Sequence, residues 1–225
     1  MTVDGGGEKG QTQQGGKGRE RRWPALVAAL SLGGLYAALP PSLLLGGSRW
    51  FPLAAVAALL VPTVITHRKG AHSANQLFGY ILNGVVTLSM ICSLALLIMA
   101  LPAHRETPQQ LLRSAAALWV ANILVFASWY WRLDAGGPHK RDLRPGHSEG
   151  AFLFPQMTMA PTAKPAKEWS PMFIDYLFLA FNTSTAFSPT DVPVLSRWAK
   201  VLMMTQAMIS LLVIALLAAR AVNIL

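Results

Sequence analysis

The sequence predicts an all-α integral membrane protein, a helical bundle of about six transmembrane helices in which the fifth either crosses or re-enters. Three observations lead there. Apolar runs close to the roughly 20 residues that a bilayer core requires recur along the 225-residue chain. Only 13% of the residues are charged, about half the 25% typical of a soluble domain. The net charge of +9 lies in clusters between the apolar runs, not along one polar face, which sets aside a nucleic-acid partner.

Residues 1–22 are rich in Gly, Gln and Lys/Arg and lack apolar periodicity, so they read as a disordered, basic cytoplasmic tail. The rest, 23–225, reads as a single transmembrane domain. Its first span runs from about Trp23 to Leu45; it is too long for a signal-peptide core and reads as retained. Pro24 suits a helix start, and Pro40-Pro41 breaks or kinks the end. After a Gly46-Gly47-Ser48 turn comes a short second span, about Phe51 to Thr66, with Pro52 and Pro62 near its ends.

The third span, about Leu77 to Leu101, carries Asn83 and Thr87 four residues apart and so on one face. The fourth, about Leu112 to Trp131, has Asn122 near its centre. A cytoplasmic connector, 132–170, holds Gly136-Gly137-Pro138, a basic cluster, and the patch Phe152-Leu153-Phe154-Pro155. The connector reads as a solvated loop, its patch lying against the membrane surface or docked on the bundle. The fifth span or re-entrant helix covers about Met172 to Phe187, and the last about Arg197 to Ala219.

Orientation follows from Lys and Arg. With six crossings and the N-terminus inside, 14 basic residues fall inside and 5 outside, the bias expected of a bacterial inner-membrane protein. Six of the seven tryptophans fall at predicted span ends, where amphipathic rings favour headgroup depth.

The composition also narrows the chemistry. Cys92 stands alone, so no internal disulfide or CxxC pair forms. The five histidines lie in connecting segments without metal-ligand spacing. No acidic residue falls in the middle of a span, which argues against a proton-coupled carrier. No catalytic, cofactor-binding or metal-ligating residue is expected. An enzyme would have to draw on Asp134, His139, His147 and Glu149 in the connector.

The polar run Asn182-Thr183-Ser184-Thr185 and the turn ending at Asp191 stand out in an apolar hairpin. In the last helix Gln206, Ser210, Val213, Leu217 and Arg220 follow steps of three and four and form one stripe. Lipid-facing amides and hydroxyls are costly, so the two rows should face each other or water. Asn182, Thr183, Thr185, Asp191, Gln206, Ser210 and Arg220 are therefore the candidate polar seam or pore lining.

Two resemblances attach to these residues. Trp129-Tyr130-Trp131-Arg132-Leu133-Asp134, Gly136-Gly137-Pro138, Phe152-Leu153-Phe154-Pro155-Gln156, Asp175 through Phe181, and Ser188-Pro189-Thr190-Asp191 resemble an uncharacterised bacterial inner-membrane family over roughly Trp129 to Leu225. The C-terminal half is also similar to the pore module of two-helix potassium channels: short helix, Thr-rich turn, Asp, long inner helix. That family's filter reads Thr-Val-Gly-Tyr-Gly-Asp. Here Thr185-Ala186-Phe187-Ser188-Pro189-Thr190-Asp191 is one residue longer and lacks both glycines, so only Thr185 and Asp191 carry over.

The resulting expectation is a multi-pass protein, pore-like or transport-related and not an enzyme, built around its C-terminal hairpin. The alternative is a non-conducting structural or partner-binding protein using the basic residues Lys140, Arg141 and Arg144. Expected partners are the lipid bilayer, further copies of the chain in a homo-oligomer, and an ion or small solute.

Overall fold

The computed structural model describes residues 23–44, 48, 50–68, 72–103, 107–144, 147, 149–158, 169–187 and 191–222. The N-terminal tail, the Gly46-Gly47 turn, Ser188 to Thr190 and Asn223 lie outside these. Seven α-helices make up the described chain: α1 (Trp23–Ala38), α2 (Trp50–Arg68), α3 (His72–Ala103), α4 (Pro108–Leu133), the short α5 (Pro138–Asp142), α6 (Phe173–Thr185) and α7 (Arg197–Val222). Three stretches, Ser73–Ala100 in α3, Pro108–Gly136 covering α4 and the 3-10 turn after it, and Arg197–Ala219 in α7, are long and apolar enough to cross a membrane.

The first helix stops at Ala38, short of the expected Leu45, because Pro40 and Pro41 cannot continue it. A 3-10 turn at Pro41–Leu43 follows instead. Pro62 sits inside α2 without ending it, and the Thr66 hydroxyl donates to the Pro62 carbonyl at 2.7 Å. The fourth helix begins four residues before the apolar run because Thr107 caps it. The Gln110 amide nitrogen donates to Thr107 Oγ1 at 3.3 Å, and the Thr107 amide donates to Gln110 Oε1 at 3.0 Å. Its buried stripe, Leu111, Ala115, Leu118, Ala121, Asn122 and Val125, recurs every three or four residues and makes α4 the central helix.

Cross-helix contacts fix the directions. Arg132 lies against Gly79 and Ser128 bonds Asn83, so α3 and α4 are antiparallel. Trp131 packs on Phe173 and Trp119 on Phe181, so α4 and α6 are antiparallel too. The last two helices behave differently. Phe152 touches both Tyr176 and Trp198 with ring centroids 6.2 Å apart, and eight residues further along each helix Ser184 meets Gln206. Helices α6 and α7 therefore run parallel. At 1.5 Å per residue, the 13-residue α6 rises only about 20 Å.

Parallel neighbours require the chain to travel back between them. It does so in the segment reaching Ser196, of which Val192 to Leu195 docks on the connector. Leu153 N donates to Pro193 O at 2.9 Å, Leu195 N donates to Ala151 O at 2.8 Å, and Phe152 and Val194 form an antiparallel bridge.

The connector corrects the expectation of a solvated loop. Asp134, Arg141, His147, Ala151, Phe152 and Phe154 are all buried. The Phe152 patch is docked on the bundle, with Phe152 and Phe154 both buried. The reason is aromatic packing: Phe152 and Phe154 wedge between Tyr130, Tyr176, Trp169 and Trp198. Trp169 is thus part of the connector's own aromatic cluster, and Trp198, in the first turn of α7, contacts it.

Candidate functional site

The site has three storeys, all built on α4, α6 and α7. The middle one is a hydrogen-bonded knot around Gln206, which is fully buried. Its Nε2 donates to Ala180 O at 2.7 Å and to Ser184 Oγ at 2.8 Å, while its Oε1 accepts from Tyr130 Oη at 2.5 Å. One turn along α7, Ser210 Oγ accepts from Asn122 Nδ2 at 2.9 Å; the same amide donates to Gln206 O at 3.2 Å. An amide without partners in an apolar interior costs about 1–3 kcal/mol, so each group here holds the others in place.

Above the knot lies the end of α6. The Thr185 and Phe187 side chains are exposed, and so is Asp191 beyond the turn. Phe187 adopts φ +54°, the left-handed conformation that ends the helix and reverses the chain. Last-turn carbonyls leave a partial negative charge at this end.

Below the knot, at the base of α6, Asp134 joins three segments. It is fully buried; its Oδ1 accepts from Ala151 N at 2.5 Å and its Oδ2 from Tyr176 Oη at 2.6 Å. Arg141 Nη1 donates to Trp131 O at 2.8 Å and to Asp134 O at 2.9 Å, closing the C-terminal end of α4. Its guanidinium lies 5.1 Å from the centre of the Tyr176 ring. His147 Nε2 stands 3.5 Å from Asp134 Oδ2. Burial pulls the His147 pKa below its usual value; Asp134 opposes that shift, and Arg141 and Arg144 add to it. Asp134 thus ties α4 to the foot of α6, and through Ala151 to the connector segment that bonds the Val192–Leu195 leg.

The seven candidate residues are not all brought together. Gln206 and Ser210 meet in the knot; buried Thr183 instead donates to Leu179 O of its own helix at 2.8 Å. Asn182 is half-buried, Thr185 and Asp191 face outward, and the Arg220 side chain lies outside the described residues. Of the connector quartet, His147 approaches Asp134 to 3.5 Å without a hydrogen bond, His139 is half-buried on α5, and Glu149 is exposed. Arg141 is buried in the bundle, so it is not part of a basic docking face with Lys140 and Arg144.

Tyr130, Asn122 and Tyr176 join the site without being among the expected seam residues, and Asp134, expected only as an enzyme candidate, has a structural part in it. A signal existed for two of them. Asp134 is the acidic residue that follows a span directly, and Tyr176 lies on the apolar side of a helix where its hydroxyl requires a partner. Comparison with protein-family models, curated proteins and solved structures gives no match.

Proposed function

We propose that this chain is a multi-pass protein of a bacterial cytoplasmic membrane whose C-terminal half is a pore-like unit for a cation. In this reading α1, α2, α3, α4 and α7 cross the bilayer, with the N-terminus cytoplasmic. Helix α6 enters from the cytoplasmic side, ends at depth and returns. The parallel course of α6 and α7 carries this reading, because two parallel neighbours cannot both be consecutive crossings.

Charge supports the same topology. A re-entrant α6 puts Arg197 and Lys200 on the connector's side and Arg220 opposite, so 15 of the 19 basic residues fall inside. Ending a half-helix within the bilayer turns its carbonyl end toward the site, which favours a cation. The polar knot is filled by its own side chains, so a conducting path would run between copies of a homo-oligomer, past Thr185 and Asp191. This order of short helix, returning leg and long helix is also that of the potassium-channel pore unit that the sequence resembles.

The filled knot favours a second reading, a non-conducting structural membrane protein held rigid by Gln206. Cation flux into liposomes carrying purified protein separates the two. The pore reading expects flux that falls several-fold in Thr185→Ala and Asp191→Asn. It also expects Thr185→Cys and Asp191→Cys to react with a membrane-impermeant thiol reagent while Gln206→Cys is protected. Liposomes as tight as empty controls would leave the structural reading standing.

A further inference from the structure

On the other side of α4 from the polar knot, α1, α2, α3 and α4 enclose a cavity of about 190 Å³. An apolar cavity of about 150 Å³ is enough to admit a benzene ring. Its walls are mainly aliphatic, including Leu26, Leu32, Val56, Leu60 and Val86. Five polar residues break that lining: Thr63 and Asn75, joined by a bond from Asn75 Nδ2 to Thr63 O at 2.6 Å, and Asn83, Ser128 and Arg132, of which Asn83 and Arg132 lie at different depths.

At one end is Arg132, at the close of α4. Its guanidinium lies across Gly79 of α3, where a Cβ would overlap it, and 5.4 Å from the centre of the Trp131 ring. Glycine at position 79 is what lets a charged group sink between the two helices. One turn deeper along α3 is Asn83, more than nine-tenths buried. Its Oδ1 accepts from Ser128 Oγ at 2.9 Å, but its Nδ2 has no hydrogen-bond partner. A buried amide donor without an acceptor costs about 1–3 kcal/mol unless something else supplies one.

We propose that this crevice is a binding site for one anionic glycerophospholipid, with its phosphate at Arg132, an ester carbonyl on Asn83 Nδ2, and an acyl chain along the aliphatic wall. The order of groups fits: cation at the rim, neutral donor about 6 Å deeper by helical rise, then hydrocarbon. Basic pockets between helices at the cytoplasmic surface suit anionic headgroups. The inference rests on the membrane placement proposed above, which puts Arg132 at that surface.

The test is lipid retention by the full-length chain reconstituted in nanodiscs of phosphatidylcholine with one-fifth phosphatidylglycerol, read by native mass spectrometry after delipidation. Wild type should keep one phosphatidylglycerol per chain. Ala29→Trp, which fills the crevice, should lose it at least tenfold. Arg132→Gln should cut the preference for the anionic lipid about fivefold, and Asn83→Ala should weaken retention of both lipids. Melting in pure phosphatidylcholine discs checks that each variant is folded. A chain that does not enter discs sinks the membrane placement and this inference together. Insertion with no retained lipid, equal retention of both lipids, or retention unchanged by Ala29→Trp sinks this inference alone.

Discussion

Tyr176 donates its phenolic hydrogen bond to Asp134 at 2.6 Å, joining the first turns of α6 to the C-terminal end of α4 across 42 residues of sequence. The same carboxylate holds the Ala151 amide, and Ala151 in turn accepts from Leu195 on the return leg. The foot of α6 and the segment leading into α7 are therefore both tied to one acidic residue. Four further consequences can be measured.

Tyr176→Phe removes only the hydroxyl and leaves the ring between Phe152, Phe154 and Arg141. Hydrogen bonds to charged groups contribute about 1.5–3 kcal/mol, and the variant should lose that much stability. Thermal unfolding in detergent reads it; a loss below about 0.5 kcal/mol would show that Asp134 does not anchor α6.

Gln206→Leu keeps the bulk of the side chain but strands Tyr130 Oη, Ala180 O and Ser184 Oγ in an apolar interior. A loss of about 2–4 kcal/mol is expected, since each unsatisfied group costs about 1–3 kcal/mol and the hydroxyls can turn to other acceptors. Gln206→Glu separates packing from hydrogen bonding. Near-wild-type melting of Gln206→Leu would mean that water, not protein, meets these groups.

His147 gives a pH dependence. Its folded pKa lies below the unfolded value of about 6.5, so the unfolded chain takes up the proton first as pH falls. Stability should therefore decline on acidification through about pH 6.5, and level off once the folded protein is protonated as well. Melting temperatures from pH 8 to pH 5 should show that slope in wild type and a flatter one in His147→Phe. Identical slopes would assign the acid sensitivity elsewhere.

Ala135, directly after Asp134, sits at φ +51°, ψ +26°, in the left-handed region. That conformation costs a residue with a Cβ about 1–2 kcal/mol. Ala135→Gly should raise stability by roughly 1 kcal/mol after allowing for the added freedom of the unfolded chain. A destabilised variant would mean that the Ala135 methyl contributes more by packing than it costs in strain.

Much of the architecture was legible because it depends on periodicity and length. Apolar runs near 20 residues and Pro40-Pro41 set the helices and some of their ends locally, whereas the Thr107–Gln110 box starts α4 four residues ahead of the expected Leu112. The stripe through Gln206 and Ser210 was readable too, since three-and-four spacing alone puts both on one side of a helix. Arg141 was not. In sequence it belongs to a basic cluster, and only the fold brings it under the α4 carbonyls and against the Tyr176 ring.

The sequence by itself determined an all-helical, strongly apolar chain behind a polar, basic first 22 residues, with few polar residues inside its apolar runs. Tertiary structure decided which faces meet: that α6 and α7 run parallel, that Phe152 and Phe154 of the connector are buried, and that Asp134 joins three segments. The reason is range. Periodicity reports neighbours within a turn or two, whereas Asp134 with Tyr176 and Asn122 with Ser210 are separated by 42 and 88 residues. Those pairs become defined when buried polar groups, cut off from water, must find partners wherever the packed helices place them.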